Sequence, residues 1–128
     1  MRLLLDTHAL LWFVLEDPRL SIASQSVITN PNNQILVSIA SLWEIAIKIS
    51  IGKYQLSDPF ESFWLEQLKL NRFTLLNVAI QHTARIITLP FHHRDPFDRL
   101  IIAQALVERI PIVSVDDVFD LYGVSRVW

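Results

Sequence analysis

The amino-acid sequence predicts an α/β domain: a central, mostly parallel sheet of about five strands, flanked by helices on both faces. Two observations carry this expectation. Short runs of aliphatic and β-branched residues alternate along the chain with segments of helical period, the pattern of strand–helix–strand units. No repeat, low-complexity tract or linker divides them. The 128 residues therefore read as one domain, 1–128, long enough to bury a real core.

Taken in order, Arg2–Leu5 reads as a buried strand and Ala9–Glu16 as a helix halted by Asp17-Pro18. Ser21 caps a second helix through Thr29, and Asn30-Pro31-Asn32-Asn33 makes the turn after it. Gln34–Ser38 is a strand. Ile39–Ser50 is a helix with an apolar stripe at Leu42, Ile45, Ala46 and Ile49, and Gly52 suits its C-terminal end. Pro59 opens an aromatic-rich helix to Leu70, Phe73–Leu76 is a strand, and Asn77 caps a helix through Ile87. The polar turn Phe91-His92-His93-Arg94-Asp95-Pro96 leads into a long helix ending near Arg109. Ile112–Val115 and Ser125–Val127 close the sheet. Such a sheet, covered on both faces, gathers ligands outside the carboxyl ends of its strands.

Composition narrows the function. The absence of cysteine excludes disulfides, thiolate metal sites and cysteine nucleophiles. A net charge of −2 gives no general electrostatic footprint for nucleic acid, though it leaves room for local grip on a short RNA. The opening Met1-Arg2-Leu3-Leu4-Leu5 starts like a leader, but Asp6 breaks it and no small-residue cleavage site follows. No apolar run reaches a membrane span, so the expected location is the cytoplasm. With 52% hydrophobic residues there is apolar surface to spare, most visibly on Ala9–Leu15 and Phe60–Leu68. Those segments are expected to meet a partner, a second copy of the chain or both.

Acids planted at the edges of apolar segments carry the chemistry. Asp6 follows Leu3-Leu4-Leu5, Asp116 follows Ile112-Val113-Ser114-Val115, Glu44 lies within Ser41-Leu42-Trp43-Glu44, and Asp98 precedes Leu100-Ile101-Ile102. Charges so placed are costly unless something positive joins them, and an all-oxygen set selects Mg²⁺ or Mn²⁺. Each acid also has a plain structural reading. Asp6 suits the N-cap of the following helix, a role compatible with metal ligation. Ser41-x-x-Glu44 has the form of a capping box, and Glu44 with Lys48 that of an i,i+4 ion pair. Asp95, Pro96 and Asp98 fit the N-cap, N1 and N3 positions of one helix. Asp117 and Asp120 suit a solvated turn. His92 and His93 lack zinc-ligand spacing and read as a polar turn or a loop touching phosphate.

Taken together, Leu4-Leu5-Asp6-Thr7-His8, Ser41-Leu42-Trp43-Glu44-Ile45, Asp95-Pro96-Phe97-Asp98-Arg99-Leu100-Ile101-Ile102-Ala103-Gln104-Ala105 and Val113-Ser114-Val115-Asp116 resemble the acidic motifs of PIN-domain ribonucleases. Within that family the chain is similar to the VapC-like toxins of bacterial toxin–antitoxin systems, in motif order and over essentially its whole length. The Asp-Pro-Phe-Asp-Arg segment is the most specific piece. The resemblance implies a PIN-like fold, RNA cleavage dependent on Mg²⁺ or Mn²⁺, dimerisation, and inhibition by a small antitoxin protein. It puts the acidic site on Asp6, Glu44, Asp98 and Asp116, with Ser41 and Ser114 in support and Asp95 as an outer participant. Two other readings stay open from the residues alone. One is a phosphotransfer domain using an Asp at a strand end, although no mid-chain strand ends in Asp and no lysine follows Lys69. The other is a non-catalytic interaction module whose acids are all caps.

Overall fold

The computed structural model describes residues 1–128 and sets β1 (Arg2–Leu5) at the centre of a five-stranded sheet. β2 (Gln34–Ser38) and β3 (Thr74–Leu76) lie on one side of it, β4 (Ile112–Val113) and β5 (Arg126–Val127) on the other, in the order β3-β2-β1-β4-β5. All four pairings are parallel, so the sheet is wholly rather than mostly so. The chain moves outward from β1 through β2 to β3, then returns to the far side of β1. The order therefore reverses between β1 and β4, the switch point where sheets of this kind place ligands outside the carboxyl ends of their strands.

Side-chain alternation on the central strands builds two cores. Leu3, Leu5, Ile35, Val37 and Val113 face α1 (Thr7–Val14), α2 (Ile22–Thr29), α3 (Ile39–Ser50) and α4 (Phe60–Leu70). Leu4, Leu36 and Ile112 face the other way, onto α6 (Pro96–Glu108) and the 3₁₀ helix Asp117–Tyr122. α5 (Ile80–Ile86) packs against α6, with Ile86 at the margin of that second core. Strands buried on both faces have no polar positions to spare, which is why β1 and β2 are aliphatic runs.

Several boundaries differ from the sequence expectation, each for a local reason. α1 starts two residues earlier and ends at Val14, because Asp6 caps it and Glu16 turns into the left-handed region at φ 54°. α3 is capped by Ser38, whose hydroxyl accepts from the Ala40 N–H, so Ser41-x-x-Glu44 is not a capping box. Asn77 does not cap α5. That helix starts after Ala79, whose N–H donates to His82 Nδ1 at 2.9 Å. β4 stops at Val113 because the backbone N–H of Asp116 turns to the Ser114 hydroxyl. No helix is long and apolar enough to cross a membrane.

Ile101 is fully buried and Ile22 is 87% exposed, so truncation should separate them. Ile101→Ala is expected to cost roughly 2–5 kcal/mol in urea unfolding, and Ile22→Ala to stay within about 0.5 kcal/mol. Equal costs would mean that the second core is assigned wrongly.

Candidate functional site

The register of the sheet places the first acid. Leu5 pairs with Val113, so Asp6 comes level with Ser114, and the Asp6 N–H donates to the Val113 carbonyl at 3.1 Å. Asp6 is 4% exposed. Its Oδ1 accepts from the Ala9 N–H at 2.7 Å, capping α1, and its Oδ2 accepts from the Ser114 hydroxyl at 2.5 Å. Each carboxylate oxygen has a second lone pair, so neither bond closes Asp6 to another partner. Ser114 in turn accepts from the Asp116 N–H at 3.0 Å, tying the ends of β1 and β4 together.

α6 begins at the same edge. Asp95 is its N-cap: Oδ1 accepts from the N–H groups of Phe97 and Asp98, with Pro96 in the first turn. Asp98 one turn in and Asp116, the N-cap of the 3₁₀ helix, meet across a histidine that the sequence reading left in a polar turn. His93 Nε2 stands 3.2 Å from Asp98 Oδ2 and 2.9 Å from Asp116 Oδ2. These three donor atoms lie within 4.8 Å of one another and could together hold a metal ion.

Asp6 and Glu44 stand outside that trio but within reach of its charge, since both act on Asp98. Glu44 is buried on α3, its Oε1 has no hydrogen-bond partner, and it forms no ion pair with Lys48. The capping and i,i+4 explanations for Glu44 thus both fall away. Ser41 is buried beside the site, but its hydroxyl accepts from Thr7 Oγ1 at 3.1 Å rather than meeting an acid. Asp117 and Asp120 belong to the 3₁₀ helix, where Asp120 pairs with Arg126.

Electrostatics give these positions a cost. Burial pushes the Asp98 carboxyl up to about 7, and the charge of Asp95 adds to this. His93 pulls the other way, while Glu44 and Asp6 raise it further. Burial also raises Asp6, against the lowering effect of hydrogen bonds from Ser114 and Ala9. Repulsion among the acids is therefore real but second to desolvation.

The profile of the PIN domain matches residues 3–124. The chain belongs to the PIN domain family. Ribonuclease VapC22 from Mycobacterium tuberculosis is 32% identical over 114 residues, 88% of this chain and 85% of that protein. Among solved structures, VapBC2 from Rickettsia felis bound to a DNA fragment from their promoter superposes with a TM-score of 0.73 at 17% identity. That match covers 98% of this chain and 97% of the other. VapBC-1 from nontypeable Haemophilus influenzae gives 0.66 at 19% identity, over 98% and 96%. At those identities the superpositions bear on the fold of this PIN domain, and membership leaves the phosphotransfer reading without support.

The residues of this candidate site fit a hard divalent cation. The available donors are carboxylate oxygens with a single imidazole, one buried carboxylate oxygen lacks any hydrogen bond, and burial makes the negative charge of Asp98 and Asp6 expensive. Asp98 has a pH signature in the metal-free protein. Its folded pKa lies above the ordinary value of 3.8, so the folded state holds the extra proton between about pH 4 and 7. Stability must then fall as pH rises through that window and level off above it. In EDTA, wild-type melting temperature is expected to drop by several degrees from pH 5 to 7.5. Asp98→Asn should show a shallower slope, with Asp6 supplying the remainder. Identical slopes would remove Asp98 as the source.

Proposed function

We propose that this PIN domain is a divalent-metal-dependent endoribonuclease and the toxin of a toxin–antitoxin pair. The observation that carries the reading is Glu44. Asp6, Asp95 and Asp116 each cap a helix and would be accounted for without any ligand. Glu44 caps nothing and pairs with nothing, yet it is buried where its charge acts on Asp98. A buried carboxylate beside two others needs a proton or a cation to offset its charge, and a divalent cation serves all three at once.

Asp6, Glu44 and Asp98 would hold Mg²⁺ or Mn²⁺, with Asp116 contributing directly or through water. When bound, the cation supplies a water nucleophilic at neutral pH and offsets charge on the phosphoryl oxygens during in-line attack. The protein's own work is positional. Ser114 fixes Asp6 Oδ2, the Ala9 N–H fixes Oδ1, and Asp95 holds the first turn of α6 so that Asp98 faces the crevice end of the sheet. Trp43, 60% exposed, stands edge-on to Phe97 with ring centres 5.0 Å apart, and these two residues directly precede Glu44 and Asp98. They offer bases of a single-stranded RNA an aromatic rim.

The antitoxin would use the mixed apolar and polar surface away from the acids. A groove of about 610 Å³ runs between α1, α2 and α4, lined by Trp12, Phe13, Leu20, Ile22 and Leu70 among others. Leu15, Leu65 and Leu70 are exposed on α1 and α4 or at their ends. The VapC22 relative supports ribonuclease activity, and the VapBC structures support an antitoxin partner. The exposed leucines suit this surface to an apolar segment of that partner or to a second copy of the chain.

The three caps favour one rival, a PIN module that binds partners and cleaves nothing. Calorimetric titration separates the two, because that module takes up no Mg²⁺ or Mn²⁺. In an RNA-cleavage assay the wild type should be active with Mg²⁺ or Mn²⁺ and silent in EDTA. Asp6→Asn, Glu44→Gln and Asp98→Asn should each lose about 100-fold or more, beyond the 10–100-fold typical of outer partners to a metal. Undiminished cleavage by one variant removes that residue from the mechanism, and wild-type cleavage that survives complete chelation rules out the metal. Where a small antitoxin-like reading frame adjoins this gene, co-expression of the two should yield a stable, inactive complex.

A further inference from the structure

We infer that His93 donates its Nε2 to the cation proposed above, making the centre a mixed nitrogen–oxygen site with Asp98 and Asp116. The inference rests on the metal-dependent reading and adds a ligand that the acidic motifs do not contain.

Three observations carry it. First, His93 Nε2 lies 2.9 Å from Asp116 Oδ2 and 3.2 Å from Asp98 Oδ2. Donor atoms around an octahedral ion with bonds of about 2.1 Å stand about 3 Å apart along each edge. The spacing already matches two such edges, whereas Nε2 carries a single N–H and serves one carboxylate well. Second, the backbone of His93 is held on both sides. Its N–H donates to the Tyr122 hydroxyl at 2.7 Å, and its carbonyl accepts from Arg99 at 3.2 Å. Arg99 is buried and also reaches the carbonyls of Pro90, Leu89 and Ile86, while Phe91 covers its guanidinium. A loop pinned by five donor contacts to one arginine and one tyrosine presents the imidazole in a fixed place, which is how ligands are preorganised. His92, next in the chain, instead turns edge-on to the Tyr122 ring at 5.2 Å. Third, Glu44 keeps a buried oxygen with no hydrogen-bond partner while its charge bears on Asp98, an independent sign that a cation belongs here.

An imidazole ligand tilts a carboxylate site from Mg²⁺ toward Mn²⁺ and later transition metals. The test uses Mn²⁺ alone as probe, with pulsed electron paramagnetic resonance on the intact chain. Wild-type protein carrying Mn²⁺ should show ¹⁴N echo modulation that converts to the ¹⁵N pattern when histidine is labelled. His92→Gln should keep that modulation. His93→Gln should lose it, with Mn²⁺ affinity reduced about 100-fold or more, beyond the loss typical of outer partners, and Mg²⁺ affinity reduced less. Bound Mn²⁺ without nitrogen modulation in the wild type overturns the inference and leaves the metal reading standing, as does modulation that persists in His93→Gln. Failure of the wild type to bind Mn²⁺ at all overturns both. The wild-type spectrum decides the matter even if His93→Gln does not fold.

Discussion

Every strand of the sheet runs the same way, and the chemistry of this protein follows from that constraint. Parallel strands end at one edge, and the helices that follow them start there. α1 and α3 begin at the ends of β1 and β2, and α6, which leads back into β4, begins at the same edge because it runs opposite to that strand. Three helix N-termini therefore point their positive ends at a single rim. Carboxylates that would be prohibitive elsewhere in a doubly covered sheet find N–H donors there, as Asp6 does from Ala9 and Asp95 from Phe97 and Asp98.

The reversal of strand order then decides which rim positions become a site. Because β1 neighbours both β2 and β4, Asp6 is drawn against Ser114, and Asp116 hangs two residues further on. Burial does most of the electrostatic work, with mutual repulsion adding to it at Asp98. Capping absorbs part of the negative charge and leaves part uncompensated. What capping leaves, at Glu44 and Asp98, is the part that the proposed cation would offset.

Periodicity made all five strands and all six α-helices legible, along with both sheet faces, since long apolar runs and turn residues act locally, whereas the 3₁₀ helix Asp117–Tyr122 read only as a solvated turn. The caps at Asp6, Ser21 and Asp95 were legible for the same reason. Caps that depend on the neighbouring fold were not. Ser38 displaced Ser41 at the start of α3, and His82 beside Ala79 displaced Asn77 at the start of α5. Glu44 had two good local explanations, and only tertiary packing removed them. His93 was missed because ligand spacing along the chain says nothing about a residue whose partners lie five and 23 positions away. Its only trace was negative: a histidine beside an Asp-Pro cap without a local job.

Asp98 and Arg99 are adjacent and oppositely charged, yet they do not pair. The carboxylate turns to the crevice, while the guanidinium is swallowed by carbonyl dipoles of the preceding loop, which screen it with partial charges instead of a counter-ion. The chain thus behaves as a small capacitor, keeping two unlike charges one residue apart and never letting them discharge into each other. Tightening the scaffold and keeping the Asp98 carboxyl clear of its neighbouring guanidinium become one act, performed by a single dipeptide.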